Sequence, residues 1–283
     1  NLSGNGRVLR SVVSQLAEHL SPDLAQWIDK NVAFPSTMVD RIVPATTDDD
    51  IEDFSEQHFR DSALITTEEF TQWVVEDSLI GNAPPLSGVG VLLTPDVAAF
   101  ETMKLRFLNA THSALAYLGL LCGYEFIHEA LDDPSLKSFA TALMSAEIAP
   151  ITATPDQVDI NQYQQSVLTR FSNAAVPYKT AQVATNGSLK LPQRIFPTIE
   201  RHMQTGEIPR RLCVVVAGWL ACIDDVNLAQ QFSDPILPVP PLNTCEGRTD
   251  LLGHLANNER LTREVDRHLQ AIKRDGIASV ISG

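Results

Sequence analysis

Cysteine pairing is the first thing this sequence lacks. Cys122, Cys213, Cys222 and Cys245 are scattered, with no C-x-x-C among them. A zinc ribbon or a redox dithiol therefore has no basis, and three of the four lie in apolar segments, the pattern of buried free thiols in a reducing cytoplasm. Long hydrophobic runs are also missing. The longest, residues 114–122 and 212–223, fall well short of the roughly 20 residues that span a bilayer, and no signal peptide opens the chain. Positive charge is scarce: 21 Lys and Arg stand against 35 Asp and Glu, a formal net charge of −14. Such a balance repels nucleic acid and anionic membrane unless a basic run intervenes, and none does. H-E-x-x-H and G-x-S-x-G are absent as well, which leaves zincin and serine-nucleophile chemistry without their usual scaffolds.

What the chain does contain is a core. It has 283 residues, 44% of them hydrophobic, enough to fill one large or two ordinary domains. Residues 7–20 repeat apolar side chains at helical spacing, and Ser21-Pro22 supplies an N-cap and a first-turn proline for a second helix. The run F-P-S-T-M-V-D-R-I-V-P at 34–44 is flanked by prolines and reads as extended. Thr46-Thr47 ahead of D-D-D-I-E-D-F predicts a capped, acidic first turn. Between 62 and 93, A-L-I-T, Q-W-V-V-E-D and G-V-G-V-L-L predict short strands. Beyond Pro95 helical patterns take over, at 96–121, 124–132, 134–148, 158–172, 177–184, 190–204, 208–223, 247–256 and 259–275. The fold class is thus mainly α: a small mixed α/β segment over 1–95, then an all-helical domain over 96–283. Neither an internal repeat nor a low-complexity tract interrupts it.

One helix carries polar residues where its neighbours are apolar. In M-K-L-R-F-L-N-A-T-H-S, residues 103–113, a period of about 100° per residue sets Glu101 near 60°, His112 near 80° and Asn109 near 140° from Lys104. These four share a face. A lysine drawn out of water loses proton affinity, and a general base near neutral pH needs that property. Spacing alone also fits a plainer reading, a solvated Lys–Glu pair and a satisfied histidine.

The order of several blocks adds to this. N-L-S-G-N-G, F-P-S-T-M-V-D-R-I-V-P, W-V-V-E-D, M-K-L-R-F-L-N-A-T-H-S-A-L-A-Y-L-G and G-S-L-K-L-P-Q-R resemble successive signature blocks of the long-chain mannitol dehydrogenase family, over about 220 residues. The most specific block is K-x-x-x-x-N-x-x-H. That family includes mannitol 2-dehydrogenase and fructuronate reductase, also called mannonate oxidoreductase. The resemblance implies a helical substrate domain like the C-terminal domain of 6-phosphogluconate dehydrogenase, preceded by the remainder of a Rossmann domain. It implies Lys104 as general acid/base without a metal, Asn109 and Asn1 polarising the reacting oxygen, and His112 holding a neighbouring hydroxyl. Glu101 matches a proton or water gate, and Asp40 and Lys190 match positions lining the sugar pocket. Gln182 falls where the mannitol branch carries arginine and the fructuronate branch glutamine. A hexuronate needs a counter-charge for its carboxylate, and Lys179, Lys190 and Arg194 are the candidates on that segment.

One departure stands out. Family members bind NAD or NADP through a glycine-rich turn at a helix N-terminus, and no G-x-G-x-x-G occurs here. The expectation is the C-terminal part of an NAD(P)-dependent dehydrogenase interconverting D-fructuronate and D-mannonate, preceded by further residues because Asn1 is not an initiator, and inactive alone. Mannitol oxidation is the nearest alternative, and a non-catalytic sugar-acid-binding module the next. The expected partner is a small sugar acid or polyol, with no nucleic acid and no membrane.

Overall fold

In the computed structural model, which describes residues 3–81, 83–236 and 251–282, the chain is mostly helical with one small three-stranded sheet. It divides into two units, Asn1–Thr102 and Met103–Gly283.

The first unit begins with helices α1 (Asn5–Leu20) and α2 (Pro22–Asn31), followed by strand β1 (Thr37–Asp40), helix α3 (Asp48–Gln57), and strands β2 (Gln72–Glu76) and β3 (Leu92–Thr94). β2 is central, antiparallel to β1 and parallel to β3, with Asp40 opposite Gln72 and Val74 opposite Leu92. The N-terminal block earns its residues here. Gly4 sits in the left-handed region at φ 62° and its N–H donates to Glu101 Oε2 at 3.2 Å. Asn5 acts as an extra strand partner: its amide donates to the Thr37 carbonyl at 2.7 Å while its Oδ1 accepts the Thr37 N–H at 2.9 Å. A Cβ on Gly6 would lie 2.3 Å from the Phe34 carbonyl oxygen, so only glycine lets the helix approach the Pro35 turn. Thr47 caps α3 in a reciprocal box with Asp50, as the sequence predicts.

Two strand expectations fail. Residues 63–66 form no strand, since Asp61 instead turns the backbone by accepting from Ala63 N–H. Of G-V-G-V-L-L only its end joins the sheet, because Pro84-Pro85 leads into a 3₁₀ turn, Leu86–Val89. The apolar stripe of α1 is exposed, with Leu9 at 56%, Val12 at 59% and Leu16 at 59%, so helical periodicity correctly marks the helix while its apolar face stays uncovered.

The second unit takes over within helix α4 (Val97–Met103), whose last residue is its first. A π-helical segment, Lys104–Asn109, leads into α5 (Ala110–Cys122), α6 (Ile127–Asp132) and α7 (Pro134–Ala142), and a second π segment, Leu143–Ile148, follows. Then come α8 (Ile160–Phe171), α9 (Thr180–Ala184), α10 (Gly187–Arg194), α11 (Phe196–Gln204), α12 (Arg210–Asp224), α13 (Val226–Ala229) and α14 (Glu259–Asp275). The single helix expected over 190–204 is two, broken at Ile195, where Pro192 and Pro197 each lack the donor that would continue the ladder. Cys213 and Cys222 are buried and unpaired and Cys122 is partly buried, while Cys245 lies outside the described residues.

The core of this unit is α12 packed between α5 and α14. Residues 212–223 are buried on every side, the signature of a central helix. Such a helix must still satisfy its first N–H groups, and a side chain from elsewhere does so. Glu147, buried in the second π segment, accepts from the N–H groups of Arg211 at 2.8 Å and Leu212 at 2.9 Å, while its own carbonyl meets His202 Nε2 at 2.7 Å. Glu147→Ala strands those two donors. Urea unfolding is expected to register a loss of about 1–3 kcal/mol, whereas Arg211→Ala, which removes only the partly exposed partner of a 3.6 Å ion pair, should cost less than about 1 kcal/mol.

Candidate active site in the helical unit

The polar residues of the central helix lie where its winding changes. Lys104 opens and Asn109 closes the π segment, in which each N–H reaches one residue further back than in an α-helix. The wider turn draws residues five apart toward one side and carries His112 round with them. Lys104 and Asn109 are half-buried and His112 is buried. Arg106, from the middle of the wide turn, donates to the Gln193 carbonyl on α10.

His112 anchors a cluster. Its ring stacks on Phe171, with centroids 4.7 Å apart and planes at 21°, and meets Tyr178 edge-on at 5.2 Å. Burial, then the positive charges of Arg194, Lys190 and Arg170, drive its pKa down to about 3. The imidazole is therefore neutral across the physiological range. Its Nε2 is buried without a hydrogen-bond partner among the described residues, an arrangement native interiors seldom leave unused. A ligand hydroxyl is the chemistry that would complete it.

Cations surround this ring. Arg194, at the last turn of α10, donates from Nη1 to Ser113 Oγ at 3.0 Å and to the Asn109 carbonyl at 3.5 Å, and burial lowers its proton affinity. Lys190, one turn earlier, donates to the Val183 carbonyl at 3.2 Å. Burial and the Arg194 charge bring the Lys190 pKa down to about 8, against a smaller opposing pull from Asp234. Among the described residues, the hydrogen bonds of both side chains thus go to neutral oxygens. Half-buried positive charge without a bonded carboxylate among them suits an incoming anion. Arg170, which sequence reasoning missed, is buried on α8 and belongs to the same field. Its signal was available: Tyr163, Val167 and Arg170 follow the i, i+4, i+7 spacing of a buried helix face.

The other expected residues are distributed differently. Gln182 is half-buried on α9, next to the Val183 that holds Lys190. Lys179 does not join the cluster: it pairs with Glu125 at 3.0 Å, lies over the Phe126 ring and lines an open cleft of about 500 Å³ with Tyr124 and Gln231. Its positive charge faces the Glu125 carboxylate at the exposed surface. Asp40 and Glu101 belong to the first unit, both buried, Asp40 at the end of β1 and Glu101 bonded to Gly4 with its Oε1 unpartnered among the described residues. Asn1 lies outside the described residues. Also among the described residues, no group of His, Cys, Asp and Glu could hold a metal ion, and no helix is long and apolar enough to cross a membrane.

The sequence is similar to those of known proteins. The model of the mannitol dehydrogenase C-terminal domain matches residues 96–273, and that of the mannitol dehydrogenase Rossmann domain matches residues 1–88. D-mannonate oxidoreductase of Escherichia coli K12 is 42% identical over 241 residues, covering 84% of this chain and 50% of that protein. A mannitol 2-dehydrogenase of Aspergillus fumigatus is 36% identical over 299 residues, covering 99% of this chain and 59% of its own length. The solved ternary complex of Pseudomonas fluorescens mannitol 2-dehydrogenase with NAD and D-mannitol is 31% identical, with a TM-score of 0.86 over 100% of this chain and 60% of that one. The chain spans about half to three-fifths of the length of these relatives. With a family model matched across nearly all of the helical unit, the chain belongs to the mannitol dehydrogenase family.

Proposed function

We propose that this chain provides the substrate-handling part of an NAD(P)-dependent secondary-alcohol dehydrogenase that interconverts D-fructuronate and D-mannonate. The observation that carries the reading is the cationic field of Lys190, Arg194 and Arg170 around a neutral His112. A hexitol has no charge to match it, whereas a sugar acid has one carboxylate. Gln182, on the helix beside Lys190, and the 42% identity to a D-mannonate oxidoreductase point the same way. In this reading the helical unit is a substrate domain of the 6-phosphogluconate dehydrogenase C-terminal kind, following a Rossmann remnant at 1–95.

The residues divide the work. Lys104, half-buried at the head of the wide turn, gives its proton to the carbonyl oxygen of fructuronate and, in reverse, takes the hydroxyl proton of mannonate. Asn109 directs its amide hydrogens at that oxygen, a role the family resemblance extends to Asn1, which lies outside the described residues. His112 bonds an adjacent hydroxyl through a ring nitrogen, and Lys190 and Arg194 hold the carboxylate. The family resemblance also gives Asp40 a place in the sugar pocket and Glu101 the part of a proton or water gate; both belong to the first unit, where each is buried. A nicotinamide dinucleotide would supply the hydride chemistry; the match of residues 1–88 to the mannitol dehydrogenase Rossmann domain supports NAD(P), while the glycine-rich strand–turn–helix that cradles a pyrophosphate is not among the described residues. Proton transfer and anion recognition are what these side chains themselves can supply. Mannitol oxidation is the second reading, favoured by the relatives of that name that match almost the whole chain.

Calorimetry with D-mannonate and with D-mannitol separates the two. D-mannonate is expected to bind at least about tenfold more tightly, since a charge-assisted hydrogen bond contributes about 1.5–3 kcal/mol; a preference for mannitol overturns the uronate reading. In the intact enzyme with a complete dinucleotide site, Lys104→Ala is expected to lower turnover of fructuronate with NADH by about 10²–10⁴-fold, and an unchanged kcat would remove the assigned acid.

The proton affinities give two further outcomes. Lys190 is charged below its pKa of about 8 and neutral above it, so D-mannonate affinity should fall as pH rises through about 8, and Lys190→Arg should flatten that fall. His112 stays neutral in the folded chain down to about 3, while the unfolded chain takes up its proton near the ordinary value of 6.5. Between those limits the unfolded state binds more protons. Stability should therefore drop as pH falls below about 6.5, by at most about 1.4 kcal/mol per pH unit, and His112→Gln should shrink this slope in urea titrations at pH 7.5 and 5.

A further inference from the structure

Helix α10 carries both Lys190 and Arg194, yet its N-cap residue makes no side-chain cap of its own. That residue, Asn186, sits in the left-handed region at φ 60°. Its backbone N–H donates instead to the Ser233 carbonyl at 2.7 Å. The next residue of that distant segment completes the cap. Asp234 is 5% exposed; its Oδ2 accepts the Ser188 N–H at 2.9 Å, and its Oδ1 accepts the Ser188 hydroxyl and, at 3.2 Å, the Ile236 N–H. A carboxylate at a helix N-terminus satisfies orphan donors and opposes the macrodipole.

The seat beneath it is tight. A Cβ on Gly187 would stand 2.3 Å from Tyr117 Oη, 2.6 Å from Trp219 Nε1 and 3.0 Å from Asp234 Oδ2, so α10 can begin against α5 and α12 only at a glycine. From this seat the helix reaches Lys190 after three residues. At its other end Arg194 grips Ser113 and Asn109.

We propose that Asp234 is a positioning residue for the anion-binding pair: from outside the cluster it fixes the start of α10, and with it the depth and charge at which Lys190 and Arg194 meet a sugar carboxylate. The sugar carboxylate rests on the function proposed above, while the positioning of Lys190 does not. Among the described residues, the charged or titratable groups that act on Lys190 are Arg194 from its own helix, His112 from α5 and Asp234 from the segment after α13. Arg194 disfavours the ammonium, His112 is neutral, and Asp234 favours it.

Asp234→Asn tests this, because an amide keeps an acceptor for the Ser188 N–H and removes the charge. Lysines of the full chain are reductively methylated with ¹³C, the Lys190 resonance is assigned by its loss in Lys190→Arg, and its pH titration is followed by NMR. The Lys190 midpoint is expected to move down by about one pH unit in Asp234→Asn. In Ser188→Ala, which keeps the carboxylate and the backbone bond, it should stay within a few tenths of the wild-type value. An Asp234→Asn midpoint equal to wild type overturns the proposal, as does an equally large shift in Ser188→Ala. Circular-dichroism melting of both variants checks that they fold. If Asp234→Asn does not, Asp234→Ser takes its place in the same titration. Calorimetry with D-mannonate adds the ligand: Asp234→Asn should weaken binding more at pH 8 than at pH 6.5. Should wild-type protein ignore D-mannonate, the proposed substrate fails while the lysine titration still decides the role of Asp234.

Discussion

The contact between the end of α10 and the wide turn of the central helix holds the candidate site together. Arg194 reaches across to Ser113 and the Asn109 carbonyl, and Arg106 reaches back to Gln193. These are guanidinium groups bonded to neutral oxygens, with burial lowering the proton affinity of both. Charge held this way is costly to bury and adds little stability, so its retention fits a role in recognising an anion better than a role in folding. His112 answers to the same field. The cations that would greet a carboxylate are the ones that keep its imidazole unprotonated.

Both π segments do related work at different ends of the helical unit. One redirects Lys104, Asn109 and His112; the other delivers Glu147 to the start of the buried helix α12. In each case a polar side chain must arrive at a spot that regular winding would miss. The apolar surroundings supply the stability, through α5, α12 and α14, that lets such irregular turns persist.

Much of this was legible in the sequence, for identifiable reasons. Lys104, Asn109 and His112 stand out because they interrupt an apolar run, and the Thr47 cap because Thr46-Thr47 precede an acidic first turn. Helix positions followed from periodicity and proline punctuation. The winding of the central helix did not, since a period argument assumes one pitch throughout. Arg170 was passed over because a lone arginine reads as a surface cation unless its spacing to Tyr163 and Val167 is counted. Asp234 was invisible for a deeper reason: it lies 46 residues from Ser188, inside what reads as Asp-Pro loop punctuation. Lys179 erred the other way, a cation near the right segment that folding commits to Glu125.

A helix that holds one residue too many for its pitch can shed that residue and become more regular. Deleting any of the small number of positions between Lys104 and Asn109 would let the ladder heal, and would rotate everything downstream by about 100°. His112 would keep its stack on Phe171 and Ser113 its bond to Arg194, while Lys104, upstream of the deletion, would take a new bearing relative to both. For this stretch of chain, the sequence best suited to winding smoothly is one that has forgotten what the helix is for.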